Sequence, residues 1–126
     1  MEVVPHIFVG SIHVAFNSDA LQSKGITHVL NLSGMAATYP QKFTYLTIEL
    51  RDKDHANLLS CIPASNLFME SAIESGSGVL VHCNGGRSRS PALVIAFLMS
   101  TLSIPFEEVR DFLTWRFCIE FRRIVN

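Results

Sequence analysis

The sequence is short of charge, of cysteine and of long apolar runs. Charged residues make up 17% of its 126 positions, and 10 Lys and Arg face 11 Asp and Glu, for a formal net charge of -1. That balance argues against a general nucleic-acid binder or a protein held on anionic membranes. The longest apolar run, Ala92 to Met99, is far below the ~20 residues that span a bilayer. Met1-Glu2-Val3 has neither the basic start nor the apolar core of a secretory leader, so none is expected. Three cysteines, Cys61, Cys83 and Cys118, cannot form a disulfide framework. A reducing compartment is therefore expected, the cytoplasm first and the nucleus second. No His/Cys cluster has metal-ligand spacing, so neither metal nor cofactor is expected. Repeats, linkers and low-complexity stretches are also missing.

What remains is a 48% hydrophobic chain, globular in composition and of a length to bury one core. One domain over residues 1–126 is expected. Periodicity predicts strands near His6–Gly10, Thr27–Leu32, Thr44–Leu50 and Val79–His82, with a short one at Glu2–Val4. Helices are predicted near Asp19–Lys24, Pro63–Ser75, Pro91–Leu102 and Phe106–Phe117. In the last of these, Phe106, Val109, Phe112, Leu113 and Phe117 form a stripe that reads as core packing. The helix from Pro91 is apolar almost all round and is expected to lie buried at the centre. Alternating strands and helices imply an α/β fold with a mostly parallel central sheet of about five strands flanked by helices. Ligands in such folds bind at the carboxyl ends of the strands.

One stretch carries chemistry. His82-Cys83-Asn84-Gly85-Gly86-Arg87-Ser88-Arg89-Ser90 reads H-C-x-x-G-x-x-R-S, between an apolar strand and an apolar helix. The backbone N–H groups of Asn84, Gly85, Gly86, Arg87, Ser88 and Arg89 are expected to ring one point beside a helix N-terminus. Amide nests and helix N-termini hold anions, whether thiolate or phosphate. Gly85 and Gly86 let the backbone approach the ligand closely. The thiolate, not the thiol, is the nucleophile, and Cys83 sits where it would be stabilised. Arg89 can fork two N–H donors onto two oxygens, which lysine cannot do. Ser90 can give its hydroxyl hydrogen to the sulfur. It also suits a helix N-cap, with Pro91 in the first turn. His82 is expected to support the loop by hydrogen bonding rather than to act as the base. Glycine turns and inert buried cysteines are common, but that reading leaves His82, Arg89 and Ser90 without explanation.

These residues resemble the cysteine-dependent dual-specificity phosphatases of the protein tyrosine phosphatase superfamily. The resemblance extends through Ile7-Phe8-Val9-Gly10-Ser11, Asn17 to Leu21, Gly25-Ile26-Thr27-His28-Val29-Leu30-Asn31-Leu32 and Ser88 to Met99, and reaches about Phe117. It implies Cys83 as nucleophile, Arg89 and the loop amides as phosphate ligands, and a general acid from a loop between a strand and the next helix. In Ile48-Glu49-Leu50-Arg51-Asp52-Lys53-Asp54-His55-Ala56-Asn57-Leu58, Asp52 matches that acid best. Asp54 is the alternative, and His55 is read as a surface loop residue. The implied substrate is a phosphorylated protein, at phosphotyrosine and at phosphoserine or phosphothreonine, as in the small atypical members. No nucleic-acid or membrane partner is expected, and the oligomeric state is left open.

Departures from the family pattern are few. Gly85 stands where the family often has alanine, and Arg87 occupies a variable position at the expected pocket rim. The segment Trp115 to Val125 contains no Pro or Gly, so the usual turn between the last two helices looks shortened. Cys61 and Cys118 read as small core residues. Two other functions compete with this one. A phosphate-reading pseudophosphatase would lack the nucleophile or the arginine, and both are present. A phosphoinositide or RNA 5′-phosphate substrate would call for more basic residues than Arg87 supplies.

Overall fold

The computed structural model of the chain describes residues 2–49, 55–83, 89–101, 103–105, 107, 108 and 111. Its strands are β1 (Glu2–Val4), β2 (Ile7–Gly10), β3 (Ile26–Asn31), β4 (Thr44–Thr47) and β5 (Gly78–His82). Its helices are α1 (Ile12–Ala15), α2 (Ser18–Ser23), α3 (His55–Glu74) and α4 (Arg89–Thr101). The five strands form one sheet in the order β1-β2-β5-β3-β4. Only the β1–β2 pair is antiparallel; β2–β5, β5–β3 and β3–β4 are parallel. The expected α/β fold with a mostly parallel five-stranded sheet is the one observed.

The last strand in sequence is the middle one in space. β5 slots between β2 and β3, and all five of its residues are buried. A strand covered on both faces needs apolar side chains on both, which Val79-Leu80-Val81 supplies. Alternation divides them. Val79, Val81 and Cys83 join Leu30, Leu32, Met69, Leu93, Val94 and Phe97 in the larger core. Leu80 faces the other way, into a core with Phe8, Leu21, Val29 and Phe43. The first core lies under α3 and α4, and the second under α1 and α2.

Local chemistry sets the boundaries. The Asn17 side chain caps α2 by accepting from the Ala20 N–H at 3.1 Å. Gly76 follows α3 with φ of 76°, a left-handed conformation that glycine adopts without strain. The N–H groups of Gly76 and Ser77 close onto the carbonyls of Ile73 and Ala72, as at many helix ends. β4 stops at Thr47 rather than at Leu50. Its partner β3 ends at Asn31, whose carbonyl accepts the Ile48 N–H at 2.9 Å.

Several expectations are corrected. α3 starts at His55, not at Pro63, and Pro63 lies inside it. A proline is cheapest in a first turn, but here it leaves the carbonyl of Leu59 without its helical donor. His55 is accordingly the first residue of a helix and not a loop residue. Ser90 is not the N-cap of α4, because the helix already includes Arg89. Pro91 remains within the first turn, where no intrahelical bond is lost. Nor is α4 buried all round: Met99 and Ser100 are exposed. The helix lies on one side of the sheet and packs on α3, where Asn66 Nδ2 donates to Ser100 Oγ at 2.8 Å. The short helix α1 has no counterpart among the helices expected from periodicity. Most of Phe106–Phe117, the segment Trp115 to Val125 and Cys118 lie outside the described residues.

Candidate active site

The site is built where the three central strands end. Gly10 of β2 and Asn31 of β3 flank His82 of β5 in register. Cys83 follows directly and is 2% exposed. Its position continues the alternation of Val79 and Val81, so it stands on the face that α3 and α4 cover. Arg89, six residues on, is the first residue of α4, and Ser90 is the second. Five residues of sequence, 84–88, separate Cys83 from Arg89, and the N-terminus of α4 is the positive end of its dipole.

His82 is on the opposite face and is 3% exposed. Burial lowers its pKa below the ordinary histidine value, and the Cys83 backbone offsets this only in part. The imidazole is therefore neutral at pH 7. Its Nδ1 has no partner among the described residues. Such a ring suits a supporting role better than that of a charged acid.

Asn31 and Ser33 are functional candidates that the motif did not reveal. Both are buried. Asn31 Oδ1 accepts from the N–H of Ser33 at 3.1 Å and from its hydroxyl at 2.6 Å. Asn31 Nδ2 donates to the carbonyl of Met35 at 2.7 Å. Ser33 Oγ accepts from the Met35 N–H at 3.2 Å. This network fixes the path of the chain as it leaves β3 beside Cys83. The available signal was a polar residue ending an apolar strand, Val29-Leu30-Asn31.

Of the other expected site residues, Asn84, Gly85, Gly86, Arg87, Ser88 and Asp52 lie outside the described residues, as does the alternative, Asp54. Cys61 borders the same core as Cys83, as a small partly buried side chain. Among the described residues, no group of three His, Cys, Asp or Glu is placed to hold a metal ion. Among those residues, too, no helix is long and apolar enough to cross a membrane.

Comparison with known proteins agrees with this arrangement. The family model for the dual specificity phosphatase catalytic domain matches residues 7–123. Dual specificity protein phosphatase 1B of Arabidopsis thaliana is 39% identical over 111 residues, which are 87% of this chain and 66% of that protein. Serine/threonine/tyrosine-interacting protein A of Xenopus laevis is 35% identical over 130 residues, 94% of this chain and 57% of that protein. The crystal structure of the human tyrosine phosphatase-like serine/threonine/tyrosine-interacting protein superposes with a TM-score of 0.85 at 31% identity, covering 93% of this chain and 83% of that one. The chain thus spans two thirds or less of these curated relatives. With the catalytic-domain match running from β2 almost to the last residue, the chain belongs to the dual specificity phosphatase family of the protein tyrosine phosphatase superfamily.

Proposed function

We propose that this chain hydrolyses phosphotyrosine and phosphoserine or phosphothreonine esters of proteins through a phospho-cysteine intermediate. One observation carries the reading: Cys83 directly follows the central strand at the carboxyl edge of a mostly parallel sheet, and α4 begins six residues later at Arg89. The family supplies the rest, since relatives with this domain are named as dual specificity protein phosphatases.

In the first step the Cys83 thiolate attacks phosphorus. The phosphorus–sulfur bond forms, the ester phosphorus–oxygen bond breaks, and Asp52 protonates the departing oxygen. The amides of Asn84, Gly85, Gly86, Arg87, Ser88 and Arg89 and the Arg89 guanidinium hold the other three oxygens. In the second step water attacks phosphorus and gives its proton to the Asp52 carboxylate. The phosphorus–sulfur bond breaks, inorganic phosphate leaves, and the thiolate returns. The hydroxyl of Ser90 eases that departure by donating to the sulfur. His82, neutral and buried, supports the loop from the far face of β5.

Two relatives carry names of interacting rather than hydrolysing proteins, one of them phosphatase-like. Cys83 and Arg89 are both present here, which favours turnover over binding alone. Cysteine usage suits the cytoplasm or nucleus. The deciding experiment is a panel of phosphopeptides, phosphoinositides and 5′-phosphorylated RNA, offered to the native chain and to Cys83→Ser. Hydrolysis of phosphopeptides by the native chain alone supports the reading. Preferential hydrolysis of a lipid or RNA phosphate would move the substrate, and no hydrolysis with retained binding would make the chain a phosphate reader.

A further inference from the structure

Met35 is 53% exposed, yet its backbone is held at both ends by buried polar side chains. Asn31 Nδ2 donates to its carbonyl and Ser33 Oγ accepts from its N–H. Gly34 between them has φ of 80°, which makes the turn tight. Tyr39, further along the segment, donates its hydroxyl to the Phe16 carbonyl at 2.6 Å, and its N–H donates to the Tyr45 hydroxyl at 3.0 Å. The path from β3 to β4 is therefore tied to the strand end, to β4 and to the turn after α1.

The turn's location gives this meaning. Asn31 is in register with His82, one strand spacing of about 4.8 Å away. Both side chains fall on the α1 side of the sheet, by alternation from Val29 and Leu80. Met35 therefore follows β3 at the same carboxyl edge of the sheet as Cys83, on the face opposite the Cys83 side chain, where a peptide lying across that edge would pass. A large apolar side chain left in water on a rigid turn contributes nothing to the core. It is already positioned for contact, so a partner loses little conformational freedom in meeting it. An unbranched thioether also adapts to apolar groups of different shape.

We propose that Met35 is a specificity-determining contact, which receives an apolar side chain adjacent to the phosphorylated residue of a substrate peptide. The inference rests on the phosphatase reading above. The test uses pairs of phosphotyrosine peptides with leucine or glycine at the position before or after the phosphotyrosine. Binding is measured on Cys83→Ser, and KM and kcat on the native chain, each with and without Met35→Ser. For the leucine peptide, a half-exposed apolar contact predicts a lower Kd and KM by roughly three- to tenfold at one of the two positions, with kcat little changed. Met35→Ser should bring that ratio to about one, and Met35→Leu should keep it. An unchanged ratio in Met35→Ser, or no ratio in the native chain, overturns the proposal while phosphopeptide hydrolysis stands. If the native chain neither binds nor hydrolyses any phosphopeptide, the phosphatase reading fails and takes the contact with it.

Discussion

The backbone N–H of Leu32 donates to the carbonyl of His82 at 2.8 Å. β3 and β5 thus stay hydrogen-bonded to the residue immediately before Cys83. The sheet thereby fixes the backbone next to Cys83, the proposed nucleophile. This is the physical reason a motif of few residues can work here: its first member is already anchored in the most buried strand.

Cys83→Ser should abolish turnover and leave oxyanion binding, because the proposed phosphate ligands, the loop amides and Arg89, are retained. Hydrolysis of an aryl phosphate by the native chain should survive a chelator and be blocked by vanadate or iodoacetate. A near-native rate in Cys83→Ser, or a need for added divalent metal, would sink the mechanism.

Arg89→Lys should weaken both phosphate binding and turnover. The lysine keeps the charge but loses the fork. Losing one charge-assisted hydrogen bond costs roughly 1.5–3 kcal/mol, about ten- to a hundredfold. Measuring kcat/KM on an aryl phosphate, and Kd for vanadate, reads both losses. If Arg89→Lys matches the native chain on both, the guanidinium does not hold the phosphate.

Asp52 and Asp54 are separated by leaving group. Removing a general acid costs roughly 10²–10⁴-fold on an ordinary ester. The loss shrinks when the leaving group is already stable as an anion. Asp52→Asn should show that pattern and flatten the alkaline limb of the pH profile, while Asp54→Asn changes little. The reverse result would move the acid to Asp54, and two small effects would remove both.

His82 should make stability depend on pH. Unfolded, it takes up a proton near pH 6.5; folded, burial holds its pKa lower. Between the two values the unfolded chain binds more protons, so stability falls as the pH drops below about 6.5 and levels off beneath the folded value. His28, lowered by burial as well, adds to the same slope. Urea midpoints measured from pH 5 to 8 should fall on the acid side, and less steeply in His82→Gln. An identical slope in His82→Gln would show that His82 does not contribute.

Much of this protein was legible in its amino-acid order. Alternating apolar runs marked the strands and the parallel α/β class, because burial on two faces demands Val79-Leu80-Val81. The spacing of Cys83, Arg89 and Ser90 pointed to the family, because an oxyanion site needs a nucleophile, a guanidinium and a hydroxyl close together. Other features depend on neighbours distant in sequence. That β5 is inserted between β2 and β3 follows from pairing energetics across the whole sheet. That Pro63 sits inside α3 follows from packing on the core, which outweighs a lost hydrogen bond. Only the register of Asn31 with His82 brings a buried amide, a serine and the exposed Met35 to the sheet edge at which β5 ends. A polar residue at a strand end has no partner until the strands have chosen theirs.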